Sequence, residues 1–188
     1  MKKLILMVLS FVTLNTSLSA RSWTDIDVTR DEYYVTVKGT TDGDGSSWDM
    51  AISCDEFSYV LPNAKKGATF HLAAGTYNPL LDSTLNVPSN GQDPYRTFLI
   101  RKPVTIIGGY PERPKKSDVS DPAKYITCIN ADVDGKDIFV ESTGQRENCE
   151  DDLRCGMIVA MVESGNCLLK GLWFEGGAPR AGRWYHDG

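Results

Sequence analysis

Lys66-Gly-Ala-Thr-Phe-His-Leu-Ala-Ala-Gly-Thr-Tyr77 alternates apolar and polar side chains and closes on a glycine. Ala68, Phe70 and Leu72 fall on one face and Thr69 and His71 on the other, the period of two that marks a strand with one buried face. The device recurs in Phe98-Leu-Ile-Arg-Lys-Pro-Val-Thr-Ile-Ile-Gly-Gly-Tyr-Pro-Glu112, too far along for a hairpin partner and well placed for one winding of a solenoid. The spacing predicts an all-β chain, the first few coils of a parallel β-helix.

Working outward, Glu32–Lys38 is rich in aromatic and β-branched residues and reads as a first strand, ended by the polar glycine loop Gly39–Ser47. Ser46 or Ser47 then offers an N-cap. Trp48, Ala51, Ile52, Cys54, Phe57, Val60 and Leu61 predict a short amphipathic helix closed by Pro62, suited to capping the open N-terminal end of a solenoid. Further strands are expected at 97–100, 104–107, 125–129, 157–162 and 167–174, with no helical pattern between them. Without crossover helices a doubly wound sheet is disfavoured. The turn-rich stretch from Tyr77 to Pro94 reads as an excursion from the coil, the kind of insertion that carries function.

Residues 1–20 have a basic start at Lys2 and Lys3, an apolar run from Leu4 to Leu14 and a small polar end, the pattern of a secretory signal peptide cleaved after Ser19 or Ala20. Residues 21–188 then form one domain of cap and coils whose C-terminal end is uncapped. Loss of the leader removes two lysines and no acid, moving the formal charge from −5 to −7, with 18 basic against 25 acidic residues. Such a balance argues against nucleic acid as a partner, and nothing after residue 20 is apolar for long enough to span a membrane.

Five cysteines follow the leader. An oxidising compartment permits bridges, and Cys149 and Cys155, flanking a short charged loop, are the candidate disulfide. Buried reduced thiols are an equal reading for Cys54, Cys128 and Cys167. Asp132, Asp134 and Asp137 place carboxylates around Gly135 and are candidate Ca2+ ligands, as is the Asp42-Gly-Asp-Gly45 loop. Neither fits the EF-hand spacing, and a solvated glycine turn with Asp side chains capping local amides is the plainer reading of both. Glu147, Glu150, Asp151 and Asp152 form an acidic cluster around Cys149 that reads as a charged surface loop.

Gly43-Asp-Gly-Ser-Ser-Trp48, the helix, Gly67–Tyr77, Phe98-Leu-Ile100, Val104–Tyr110, Asn130-Ala-Asp-Val-Asp-Gly135 and Leu168–Gly177 form an ordered series. Together they resemble the N-terminal portion of right-handed parallel β-helix proteins, in particular pectin-lyase-like, polymorphic-outer-membrane-protein-like bacterial surface proteins. The resemblance implies an exported protein, secreted or on the outer surface of a Gram-negative bacterium. It also implies either a truncated or interrupted relative or one whose last coil is covered by another chain.

Two functions follow as expectations. The first is a non-catalytic structural or adhesive module binding a polysaccharide or host-surface ligand, with Trp173, Trp184 and Tyr185 as glycan-stacking candidates. The alternative is a polysaccharide lyase or another carbohydrate-active enzyme of the pectin-lyase fold; for a lyase, Lys170, Arg180, Arg183 and His186 would supply the base and the positive charge that stabilises an enolate. No catalytic residue is assigned. His71, alternating away from Phe70 and Leu72, reads as surface decoration, and serine-elbow, P-loop and dinucleotide motifs are absent.

Overall fold

A computed structural model describes residues 22–81, 96–132, 138–140, 142–143, 145–147, 158–160 and 165–176. In chain order the strands are β1 (Glu32–Val35), β2 (Thr69–Ala73), β3 (Gly75–Tyr77), β4 (Phe98–Ile100), β5 (Thr105–Tyr110), β6 (Thr127–Asn130), β7 (Ile138–Val140), β8 (Gln145–Glu147), β9 (Ile158–Ala160), β10 (Leu168–Lys170) and β11 (Leu172–Glu175). One α-helix, α1 (Cys54–Asn63), lies between β1 and β2, and short 3-10 turns occupy Trp23–Asp25 and Trp48–Met50.

The expected all-β parallel β-helix is corrected. The strands form a parallel four-stranded sheet, β1-β2-β5-β10, a parallel three-stranded sheet, β11-β6-β3, the parallel pair β4–β9 and an antiparallel pair, β7–β8. None closes into a barrel or solenoid among the described residues, and the arrangement is a mixed α/β one. The helix is a layer of the core rather than a lid on its end. Phe57 of α1 meets Phe70 of β2 edge-on at 5.3 Å and Phe98 of β4 at 5.1 Å, while Val60 and Leu61 are fully buried beside them.

The helix also starts later than its apolar spacing suggests. Ser47 makes no capping bond, and Trp48–Met50 is a separate 3-10 turn. The cap is Ser53, whose Oγ accepts from the Glu56 amide at 3.2 Å while Glu56 Oε2 accepts from the Ser53 amide at 2.7 Å. This reciprocal Ser-x-x-Glu box satisfies two amides that helix geometry leaves without partners, and Pro62 is tolerated in the last turn.

Parallel register fixes which side chains share a face. Tyr33, Phe70, Ile106 and Leu169 align across the four-stranded sheet on its inner side, and Tyr34, His71, Ile107 and Lys170 align on its outer side. In the three-stranded sheet Tyr77, Ile129 and Phe174 form the matching inner row. Tyr33 stacks on Phe70 at 4.8 Å, so the core begins as an aromatic ladder. Thr127, buried on β6, ties the layers: its Oγ1 accepts from the Gly109 amide at 2.9 Å and lies 3.1 Å from the Ala73 carbonyl.

Candidate functional site

One irregularity in β5 builds the outer face. Strict alternation from Thr105 would aim Tyr110 into the core, but the register with β2 slips between His71 and Ala73, so that Tyr110 pairs with Ala73. The extra residue sits at Gly108-Gly109, where Gly109 has a φ of 89°, a conformation only glycine adopts without strain. Added bulk at Gly108 would meet the Gly171 carbonyl at 2.5 Å. The bulge turns Tyr110 outward beside His71.

There His71, Tyr34, Tyr110, Trp48 and Glu32 form a cage. The His71 ring stacks on Tyr34 at 5.0 Å and its Nδ1 lies 2.9 Å from the Tyr110 hydroxyl. Trp48 meets Tyr34 edge-on at 4.9 Å and Tyr110 at 5.1 Å. The Tyr34 hydroxyl donates to Glu32 Oε2 at 3.1 Å. His71 is therefore not the surface decoration its alternation suggests; its side chain is 14% exposed. Its Nε2 has no hydrogen-bond partner among the described residues, since Glu32 Oε1, at 3.9 Å, is too distant for one.

Burial holds the His71 pKa below the ordinary histidine value, against the opposing pull of Glu32. Burial likewise raises Tyr34 and Tyr110, helped by Glu32 in both cases. The imidazole is thus neutral near pH 7 and serves as a flat, polar wedge between two phenols. Because the unfolded chain takes up the proton first, stability is full above the ordinary histidine pKa and falls as pH drops from there toward the lowered folded value. Urea midpoints of the wild type should therefore decline across mildly acidic pH. His71→Gln should flatten that part of the profile, and an unchanged slope would count against the assignment.

Beside the cage lies an open cleft of about 570 Å³, lined by Thr36–Thr40 after β1, Trp48 and Asp49, Ala74-Gly75 and Glu112–Pro114. Trp48, 8% exposed, is held by the cage and forms part of the cleft lining. Lys38, Asp49, Glu112 and Arg113 stand around it, and none of the ion pairs among the described residues uses them. Two cations, two anions and one fixed indole suit a ligand bearing many hydroxyls rather than a single strong charge.

The residues singled out in the sequence mostly lie elsewhere. Asp132 follows β6, its amide donating to Asn130 Oδ1 at 2.9 Å, while Asp134 and Asp137 lie outside the described residues. No group of three or more metal-ligating side chains occurs among the described residues. In the Asp42–Gly45 loop, Asp44 pairs with Arg30 at 2.8 Å and caps the Ser46 amide at 2.9 Å. Cys149, Cys155, Glu150, Asp151, Asp152, Trp184, Tyr185, Arg180, Arg183 and His186 lie outside the described residues, and Glu147 falls in β8. Trp173 is exposed on β11 and Lys170 on β10, and neither is among the residues that line the cleft.

Cys54, Cys128 and Cys167 are free thiols. Burial pushes Cys54 up to about 12 and Cys128 to about 11, so both stay protonated and are poor nucleophiles. No helix among the described residues is long and apolar enough to cross a membrane. No family model matches the chain, and no curated protein or solved structure shows significant similarity to it.

Proposed function

We propose that the protein is an exported, non-catalytic module that binds a glycan or another hydroxyl-rich ligand on a host or cell surface, through the cleft between Thr36–Thr40 and Glu112–Pro114. The observation that carries this reading is the ring of Lys38, Asp49, Glu112 and Arg113 around a fixed indole, four charged side chains without ion-pair partners among the described residues. Such groups keep their hydrogen-bonding capacity for a ligand, and hydroxyls can accept from the cations and donate to the carboxylates. Export rests on the N-terminal pattern of Lys2, Lys3 and the apolar run that follows. Display outside the cell gives such a cleft access to polysaccharides.

The test is a glycan and matrix-protein array probed with mature protein, followed by titration of the best ligand against Lys38→Ala/Arg113→Ala. Loss of two charge-assisted contacts should weaken binding about tenfold or more. A wild-type protein that retains nothing on the array, or a double variant that binds as well as the wild type, sinks the proposal. The same samples incubated with uronate polysaccharides, with and without calcium, separate binding from catalysis, because unsaturated ends would replace this reading with a lyase.

A further inference from the structure

The four-stranded and three-stranded parallel sheets end on the same side, at β10 and β11, which are consecutive strands joined by Gly171 alone. The inner row that is fully buried at Tyr33, Phe70 and Ile106 finishes at Leu169, 41% exposed, and the row buried at Tyr77 and Ile129 finishes at Phe174, 46% exposed. Leu168 and Trp173 on the outer faces are 53% and 61% exposed. An eight-residue stretch therefore presents four large apolar side chains and a strand edge that no described residue pairs with, a combination that natural sheets otherwise blunt or cover.

We propose that a second copy of this chain covers this end, its β10 pairing antiparallel with β10 about a twofold axis at Leu169. Three observations select that occupant. The far end of the four-stranded sheet is closed: on the outer edge of β1, Tyr34 accepts from the Ile52 amide and donates to the Gly45 carbonyl, and Thr36 donates to the Ile52 carbonyl, each at 3.0 Å. Copies cannot stack head to tail on that edge, so the open ends must meet each other. Second, the Leu168 amide donates inward to the Val104 carbonyl at 3.0 Å. Alternation along β10 then points both backbone groups of Leu169 outward, and a twofold axis there makes Leu169 and its mate a pair that exchanges both hydrogen bonds. Third, this register sets Leu168 against Lys170 of the other copy, leaving no like charges opposed and laying the lysine stem along an apolar neighbour.

The experiment is sedimentation of the full mature chain, wild type and variants, with circular dichroism to confirm the fold. Wild type should sediment at twice the chain mass. Leu169→Glu and Leu169→Lys should each fall to single-copy mass, and mixing the two should restore the double mass, because opposite charges then meet across the axis. On the outer face, where exposure makes folding insensitive to substitution, Leu168→Lys should dissociate the pair by opposing Lys170 while Leu168→Glu should keep it. A wild type of single-copy mass overturns the proposal and leaves the edge to a strand of another polypeptide. Double mass that survives every variant, or a mixture that stays at single-copy mass, overturns the twofold pairing at Leu169.

Discussion

Phe70→Ala is expected to lower the unfolding free energy by about 3–5 kcal/mol, the usual cost of removing a fully enclosed phenyl ring. Phe70 is the central rung of the inner row. Tyr33 stacks on one face at 4.8 Å, Phe57 approaches edge-on at 5.3 Å, and Ile106 flanks it in register on β5. These neighbours come from two strands and the helix, each held by its own backbone hydrogen bonds, so they cannot collapse together into the vacated volume. The loss therefore includes a cavity term as well as the transfer of the ring. Urea unfolding followed by far-ultraviolet circular dichroism should show a lower midpoint with little change in slope. Val119→Ala, on an exposed loop, is the control and should shift stability by no more than about 0.5 kcal/mol. A midpoint for Phe70→Ala close to that of the control would mean that α1 and the sheet do not share one core.

The strands around Phe70 were legible because their alternation is regular. Ala68, Phe70 and Leu72 against Thr69 and His71 mark β2 without tertiary information, and the same pattern marks Thr105–Ile107. The fold class was not legible, for a physical reason. The spacing of short strands is compatible with several parallel arrangements, and it says nothing about how deeply a neighbouring helix enters the core. The apolar side of α1 looked like a lid, whereas Phe57 lies between Phe70 and Phe98. The helix start was available in Ser53-Cys-Asp-Glu56 but was masked by the more conspicuous Ser46-Ser47 beside Trp48.

The candidate site was harder still. Tyr34, Trp48, His71 and Tyr110 are far apart in sequence and meet only through parallel register and the bulge at Gly108-Gly109. The double glycine after an alternating strand was the available signal, since a residue that must adopt positive φ within a ladder often redirects the next side chain. Selecting conspicuous carboxylates and tryptophans instead led to Asp132 and Trp173, neither of which lines the cleft. Charged side chains around a cleft carry no periodic signature of their own. Lys38, Asp49, Glu112 and Arg113 read as ordinary loop residues until the loops are brought together.

Trp48→Ala should cost about 3–5 kcal/mol and remove ligand retention at the cleft, and the two effects can be separated. The indole is buried between Tyr34 and Tyr110 on one side and forms part of the cleft wall on the other. Truncation opens a void behind the wall, and because His71 is fixed by stacking on Tyr34 and by its bond to Tyr110, the loosening reaches the imidazole. Trp48→Phe keeps an aromatic ring against both phenols while replacing the larger indole of the cleft wall by a ring with no N–H donor. That variant should retain most of the stability and bind more weakly. Titration at a temperature where each variant is fully folded gives the affinity, and denaturant unfolding gives the stability. Equal affinity in wild type and Trp48→Phe would assign the indole to the scaffold alone and leave recognition to the charged rim. Weaker binding by Trp48→Phe, with stability largely kept, would make the cage a support that exists to hold one side of the cleft in place.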